Sequence, residues 1–132
     1  MKLDSIAEHL LLSNLVSNGA VNNSLPALFL YRRPNTAETS ALLLPDPAGM
    51  SKDSELPGYL KGRLQLIVTG ENYDAGYDLA EALSNRLTVR GLDLYDMYIY
   101  QCMPRHTPIS YPNNEQNMIE HSVTFDIKLR LK

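Results

Sequence analysis

The chain has 132 residues, 44% hydrophobic and 20% charged, a length that predicts one compact domain with its own core. Twelve Lys and Arg against fifteen Asp and Glu leave a net charge of −3, which excludes a strongly basic nucleic-acid footprint at the whole-chain level. A single cysteine, Cys102, excludes an intramolecular disulfide, and no apolar run approaches the roughly 18 residues of a membrane span.

The opening, MKLDSIAEHLLLSNL, interrupts its apolar stretch with Asp4, Glu8 and His9, so it reads as a poor signal peptide. A soluble, non-secreted protein occupying 1–132 as one domain is the expectation. Over residues 3–17, Leu3, Ile6, Ala7, Leu10, Leu11 and Leu15 fall on a helical stripe. Ser5 and Glu8 have capping-box spacing, and Asn18-Gly19 supplies a stop. ALFLYRR (27–33) and SALLL (40–44) are short apolar runs that predict a pair of strands. PDPAGMSKDSELPG follows, with three prolines that fix φ and remove donors, and predicts a long loop over 45–60.

Residues 61–70 alternate, with Leu64, Leu66 and Val68 on one face and Arg63, Gln65 and Thr69 on the other, Ile67 being the exception. Asn72 is placed to cap a helix, and Asp74 sits in its first turn, where the positive end of the dipole favours an acid. The helix stripe runs Tyr73, Tyr77, Ala80, Leu83, Leu87, and Arg90-Gly91 closes it. LDLYDMYIYQCM (92–103) is rich in strand formers, after which Pro104, Pro108 and Pro112 predict a second loop over 103–117. At the end Val123, Phe125, Ile127, Leu129 and Leu131 alternate with Thr124, Asp126, Lys128, Arg130 and Lys132, a strand with one apolar and one polar face. This order predicts an α+β fold: a mostly antiparallel sheet of about five strands, with two helices packed on one face.

Catalytic chemistry finds little to stand on. A zinc site needs three or four ligands, and among His9, His106, His121 and Cys102 only Cys102 and His106 cluster, four apart. They read as a semi-buried strand cysteine and a loop histidine, His121 as an edge or hydrogen-bonded core residue, and His9 as solvated. No serine sits in a Gly-x-Ser-x-Gly elbow, and Gly70 is followed by Glu71, which repels a phosphate. Asp74, Asp78 and Glu81 share a helix face at i, i+4 and i+7, read as a solvated or partner-facing acidic surface. No catalytic residue, metal site or cofactor is predicted. The alternatives are a small-molecule-binding α+β regulatory domain using Tyr98 and Tyr100, and a hydrolase using Cys102 or the carboxylates Asp74 and Asp78.

Charge is unevenly spread. Six of the fifteen acids fall within 71–96, whereas Lys128, Arg130 and Lys132 share the polar face of the last strand. An acidic helix and a basic strand on one subunit suit head-to-tail docking between copies, which closes into rings when the rotation allows.

The stretch GRLQLIVTGENYDAGYDLAEALSNRL (62–87) combines a strand opening on Gly-Arg, a short turn with a Tyr-Asp pair, and a helix with an Ala-Leu stripe. It resembles the tail-terminator (tail-completion) proteins of long-tailed bacteriophages. The leading helix, the Leu-Tyr-Arg-Arg-Pro strand end (30–34) and the long C-terminal strand are consistent with it. The resemblance implies a structural virion protein, not an enzyme, made in the bacterial host cytoplasm and housed in the tail. It implies a homohexameric ring that caps the tail tube, ends tube polymerisation and offers a joining surface to the head-side connector or neck protein. The implied partners are copies of itself, the tail tube protein and that connector, with no membrane and no cofactor. DNA passes through such a ring without specific binding. Candidate subunit or tube interface residues are Asp74, Asp78, Glu81, Lys128 and Arg130, with Tyr59 and Tyr111 from the two proline-rich segments.

Overall fold

In the computed structural model, residues 2–13, 15–18, 26–32, 39–113 and 118–132 are described. Their elements in chain order are α1 (Asp4–Leu11), β1 (Ser17–Asn18), β2 (Ala27–Leu30), β3 (Ser40–Pro45), β4 (Ser51–Lys52), β5 (Tyr59–Gly70), α2 (Tyr73–Leu87), β6 (Val89–Asp93), β7 (Met97–Pro104), β8 (Ile109–Asn113) and β9 (Met118–Leu131).

Two long strands set the frame. β5 and β9 pair antiparallel from Tyr59↔Arg130 to Gly70↔Ile119, which puts Leu64 opposite Phe125 and Leu66 opposite Val123. Alternation then sends all four, with Val68, Ile127 and Leu129, to one face, where they are buried against α1 and α2. Ile6, Ala7 and Leu10 from α1 and Ala80, Leu83 and Leu87 from α2 complete one core cluster. The sheet order is β1-β2-β3-β5-β9-β7-β6, with β4 beside β5 and β8 beside β9.

The α+β class and the one-sided helices agree with the sequence reading. The strand count does not: the sheet has nine strands among the described residues, rather than about five. Two of the additions, β1 and β4, are two residues long, too short to leave any periodicity. The runs at 27–33 and 40–44 do pair, but β2 lies parallel to β3, and β1 parallel to β2. Apolar spacing carries no information on strand direction.

The proline segments are not simply loops. Residues 103–117 contain the end of β7 and all of β8, which pairs with β9 from Ile109↔Ser122 to Asn113↔Met118. An edge strand accommodates Pro112 because its outer side needs no ladder donor. Likewise 45–60 holds β4 and the start of β5.

Both helices differ from expectation at their ends. α1 stops at Leu11; its N-cap is Leu3, whose apolar side chain has no atom to cap with, and Ser5, expected to cap, lies inside the first turn and donates through Oγ to Asp96 Oδ1 at 2.5 Å. The expected Asn18 stop lies in β1, while Gly19 is outside the described residues. α2 begins as predicted: Asn72 Oδ1 accepts from the N–H groups of Asp74 and Ala75 at 2.9 and 3.3 Å. It ends at Leu87, where Thr88 turns extended and its Oγ1 donates to the Ser84 carbonyl at 2.7 Å. Arg90-Gly91 therefore belongs to β6 and not to the helix end. The buried stripe of α2 includes Gly76 and Ser84, while Tyr73 is 48% exposed.

Candidate functional site

The alternation that buries one face of β5 and β9 collects their polar residues on the other. There Tyr59 stands opposite Arg130, Lys61 opposite Lys128, and Arg63 opposite Asp126. Asp126 is bracketed by Arg63 at 3.8 Å and by Arg105, from the turn after β7, at 3.4 Å. These pairs are half exposed and each contributes at most about 1 kcal/mol. Lys61 faces a like charge, an arrangement that disfavours the isolated sheet. Lys61, Lys128 and Arg130 have no ion-pair partner among the described residues.

The turn between β3 and β4 stands over this face. Asp46 folds it by accepting from Ala48 N–H through Oδ1 at 2.9 Å and from Gly49 N–H through its carbonyl at 2.9 Å, with Gly49 at φ +78°. Met50, at the end of the turn, packs against the core beside Gly62, on the apolar side of β5, where an added Cβ would sit 2.9 Å from Met50 Cγ. The result is a cleft of about 810 Å³, lined by Asp46, Gly49 and Met50 on the turn and by Lys61, Arg63, Gln101, Asp126 and Lys128 on the sheet.

At one end of the face the register of β7 against β9 slips between Ile99 and Gln101, leaving Tyr100 as the extra residue of a bulge. Tyr100 packs edge-on to Tyr98 at 5.1 Å and lies 5.9 Å from Tyr59. Tyr98 and Tyr100 thus build an aromatic edge and do not line the cleft. Tyr111 lies on β8 opposite Glu120, ten β9 positions from the Tyr59 partner Arg130, or about 34 Å away. Burial first, and then its hydrogen bond to Glu120, pushes the Tyr111 hydroxyl up to about 12.

Asp74, Asp78 and Glu81 are exposed on α2, in the layer behind the sheet. Glu81 also hydrogen-bonds the Tyr77 hydroxyl. The candidate residues therefore divide into three groups: an acidic set on the helix layer, Lys128, Arg130 and Tyr59 together on the sheet face, and Tyr111 alone at its far end. Lys61, Arg105 and the Asp46–Met50 turn were absent from the sequence-based set. Arg63 and Asp126 were visible as polar-face residues, but only the β5–β9 register brings them to Lys61 and Lys128.

The cysteine and the three histidines are engaged locally in the fold. Cys102 is 1% exposed, and burial, followed by the charge of Asp126, pushes its thiol up to about 12, so it holds no thiolate nucleophile at neutral pH. His106 is tied locally, with Nδ1 2.7 Å from the Thr107 carbonyl and Nε2 accepting from Thr124 N–H at 3.4 Å. His9 is not solvated as expected: its Nε2 is 3.2 Å from the Arg86 carbonyl, Arg86 Nε donates to the His9 carbonyl at 3.2 Å, and burial lowers its pKa. His121 is fully buried beneath Gly76, with Nδ1 2.7 Å from Ser110 Oγ, ring contacts to Tyr73 and Tyr77, and Nε2 without a hydrogen-bond partner among the described residues. Burial lowers its pKa by disfavouring the charged form. No described helix is long and apolar enough to cross a membrane.

Over residues 14–131 the chain matches the sequence profile of a family described as bacteriophage tail terminator protein. Among solved structures it is similar to a chain from the virion of a native gene transfer agent (GTA) particle, with a TM-score of 0.67. The two share 12% sequence identity over 96% of this chain and 92% of that one, a likeness of fold. No curated protein matches the chain.

Proposed function

Because the chain belongs to the bacteriophage tail terminator family, whose members are structural tail proteins and not enzymes, we propose that it caps the tail tube as a ring of identical subunits. It is a component of the virion tail. In this reading six copies form the ring. One side binds the last layer of tail tube protein and ends its polymerisation, and the other offers the joining surface to the head-side connector or neck protein.

The observation that carries the reading is the separation of charge between the two layers. Asp74, Asp78 and Glu81 are exposed on the helix layer, and Lys61, Lys128 and Arg130 are unpaired among the described residues on the sheet face. A heterologous contact sets the helix layer of one protomer against the sheet layer of the next, and repeated rotation closes the ring. The Lys61–Lys128 opposition supports it, since a neighbour's carboxylates relieve the repulsion. The same contact withdraws these cations from the channel. Lys and Arg contacts to phosphate make DNA binding tight and salt-dependent, so a channel lacking them lets the duplex slide through.

The test is tube length. Tube subunits of the same phage are polymerised with and without this protein and measured by electron microscopy. Shorter tubes with a ring at one tip are expected as the protein-to-tube ratio rises. Tubes of unchanged length with bare ends refute the capping role.

A further inference from the structure

We propose that the cation row of the sheet is the socket for α2 of a second copy of this chain, which lies along β9 with Asp74 and Asp78 in step with Arg130 and Lys128. This contact rests on the ring reading and specifies the surface that each protomer offers its neighbour.

The first support is a match of spacing. Residues four apart on a helix are separated by a rise of about 6 Å, and both acids fall on one side of it. Alternate residues of a strand repeat at about 6.8 Å on one face. Asp74 and Asp78 therefore recur at nearly the step of Arg130 and Lys128, and long flexible side chains absorb the difference. Lys61 stands across from Lys128, so two ammonium groups converge on the second acid.

The second support is what the neighbouring charges are already doing. Asp126 lies on the same face but is held by Arg63 and Arg105 at 3.8 and 3.4 Å. Asp46 is turned onto the Ala48 amide within its own turn. Neither carboxylate neutralises Lys128 or Arg130, and both are accessible: Lys128 borders the 810 Å³ cleft, and Arg130 is exposed beyond it. The Asp46–Met50 turn walls that cleft and keeps a docked helix from drifting toward β3.

The experiment uses the full chain and two double variants, Lys128→Glu with Arg130→Glu, and Asp74→Lys with Asp78→Lys. Each is checked for native circular dichroism, and its mass is measured by light scattering across concentration at about 50 mM salt. Each variant alone is expected to associate at least about 100-fold more weakly than wild type, because like charges meet at every contact. An equimolar mixture is expected to regain the wild-type mass with the two chains alternating, since each reversed helix then meets a reversed sheet. Recovery by mixing also shows that neither variant was merely misfolded.

The contact is overturned if either variant alone keeps the wild-type mass, or if the mixture stays dissociated. It is equally overturned if wild type is monomeric at millimolar concentration and low salt. The tube-length assay then decides the capping role separately. A 20-base-pair duplex is titrated in parallel: retention that is lost in the Lys128→Glu, Arg130→Glu variant assigns the row to DNA and refutes the protein socket.

Discussion

Gly76→Ala probes whether His121 is held rigidly beneath α2. An added Cβ at Gly76 would lie 2.7 Å from His121 Nε2 and 2.8 Å from Cδ2, about 0.8 Å inside ordinary contact. The ring has little room to retreat. Ser110 Oγ fixes Nδ1 at 2.7 Å, and the rings of Tyr73 and Tyr77 lie 5.2 and 6.0 Å away. Overpacking of this kind costs about 1–3 kcal/mol, whereas Ala is better than Gly in a helix interior by about 1 kcal/mol. The net expectation is a destabilisation of up to about 2 kcal/mol, read by urea unfolding followed by circular dichroism. The decisive comparison is the same substitution in a His121→Ala background. With the ring gone, only the helix preference remains, and Gly76→Ala becomes stabilising by about 1 kcal/mol. The double-mutant cycle should therefore show a coupling of about 1–3 kcal/mol. If Gly76→Ala stabilises both backgrounds equally, the packing argument is wrong.

His121 also sets an acid limit. Its folded pKa is lowered from 6.5, so the unfolded chain binds the proton more readily, and stability is lost as pH falls below about 6.5. His9 shifts in the same direction, so His121→Gln should reduce but not abolish the slope of unfolding free energy between pH 6.5 and 5; an unchanged slope excludes His121. Cys102, with its thiol near 12 and buried, should resist iodoacetamide at pH 8 until denaturant is added; rapid labelling of the native protein would contradict its burial. Phe125→Ala should cost about 3–5 kcal/mol, since the ring is fully buried opposite Leu64, and a melting point within a degree or two of wild type would remove it from the core.

The sequence determined on its own whatever depends on neighbours within a few residues. Asn72 caps α2 because its carboxamide reaches amides two and three residues on, and such geometry is local. The alternation in β5 and β9 revealed which residues face the core, because a strand's period of two is fixed by the backbone. The charge separation between the second helix and the last strand was likewise visible in the sequence. Tertiary structure decided the rest. The direction of β2 against β3, the pairing of β8 despite Pro112, and the diversion of Ser5 to Asp96 depend on partners distant in the chain. So does the cation row: Lys61 and Lys128 are 67 positions apart, and only the antiparallel register of β5 and β9 sets them face to face. His121 read from sequence as either an edge or a hydrogen-bonded core residue, and α2 laid over it, with a glycine where its ring needed room, places it in the core. Local propensities fix the elements and their faces, and the contacts that define a surface exist only once the chain has closed long loops to make them.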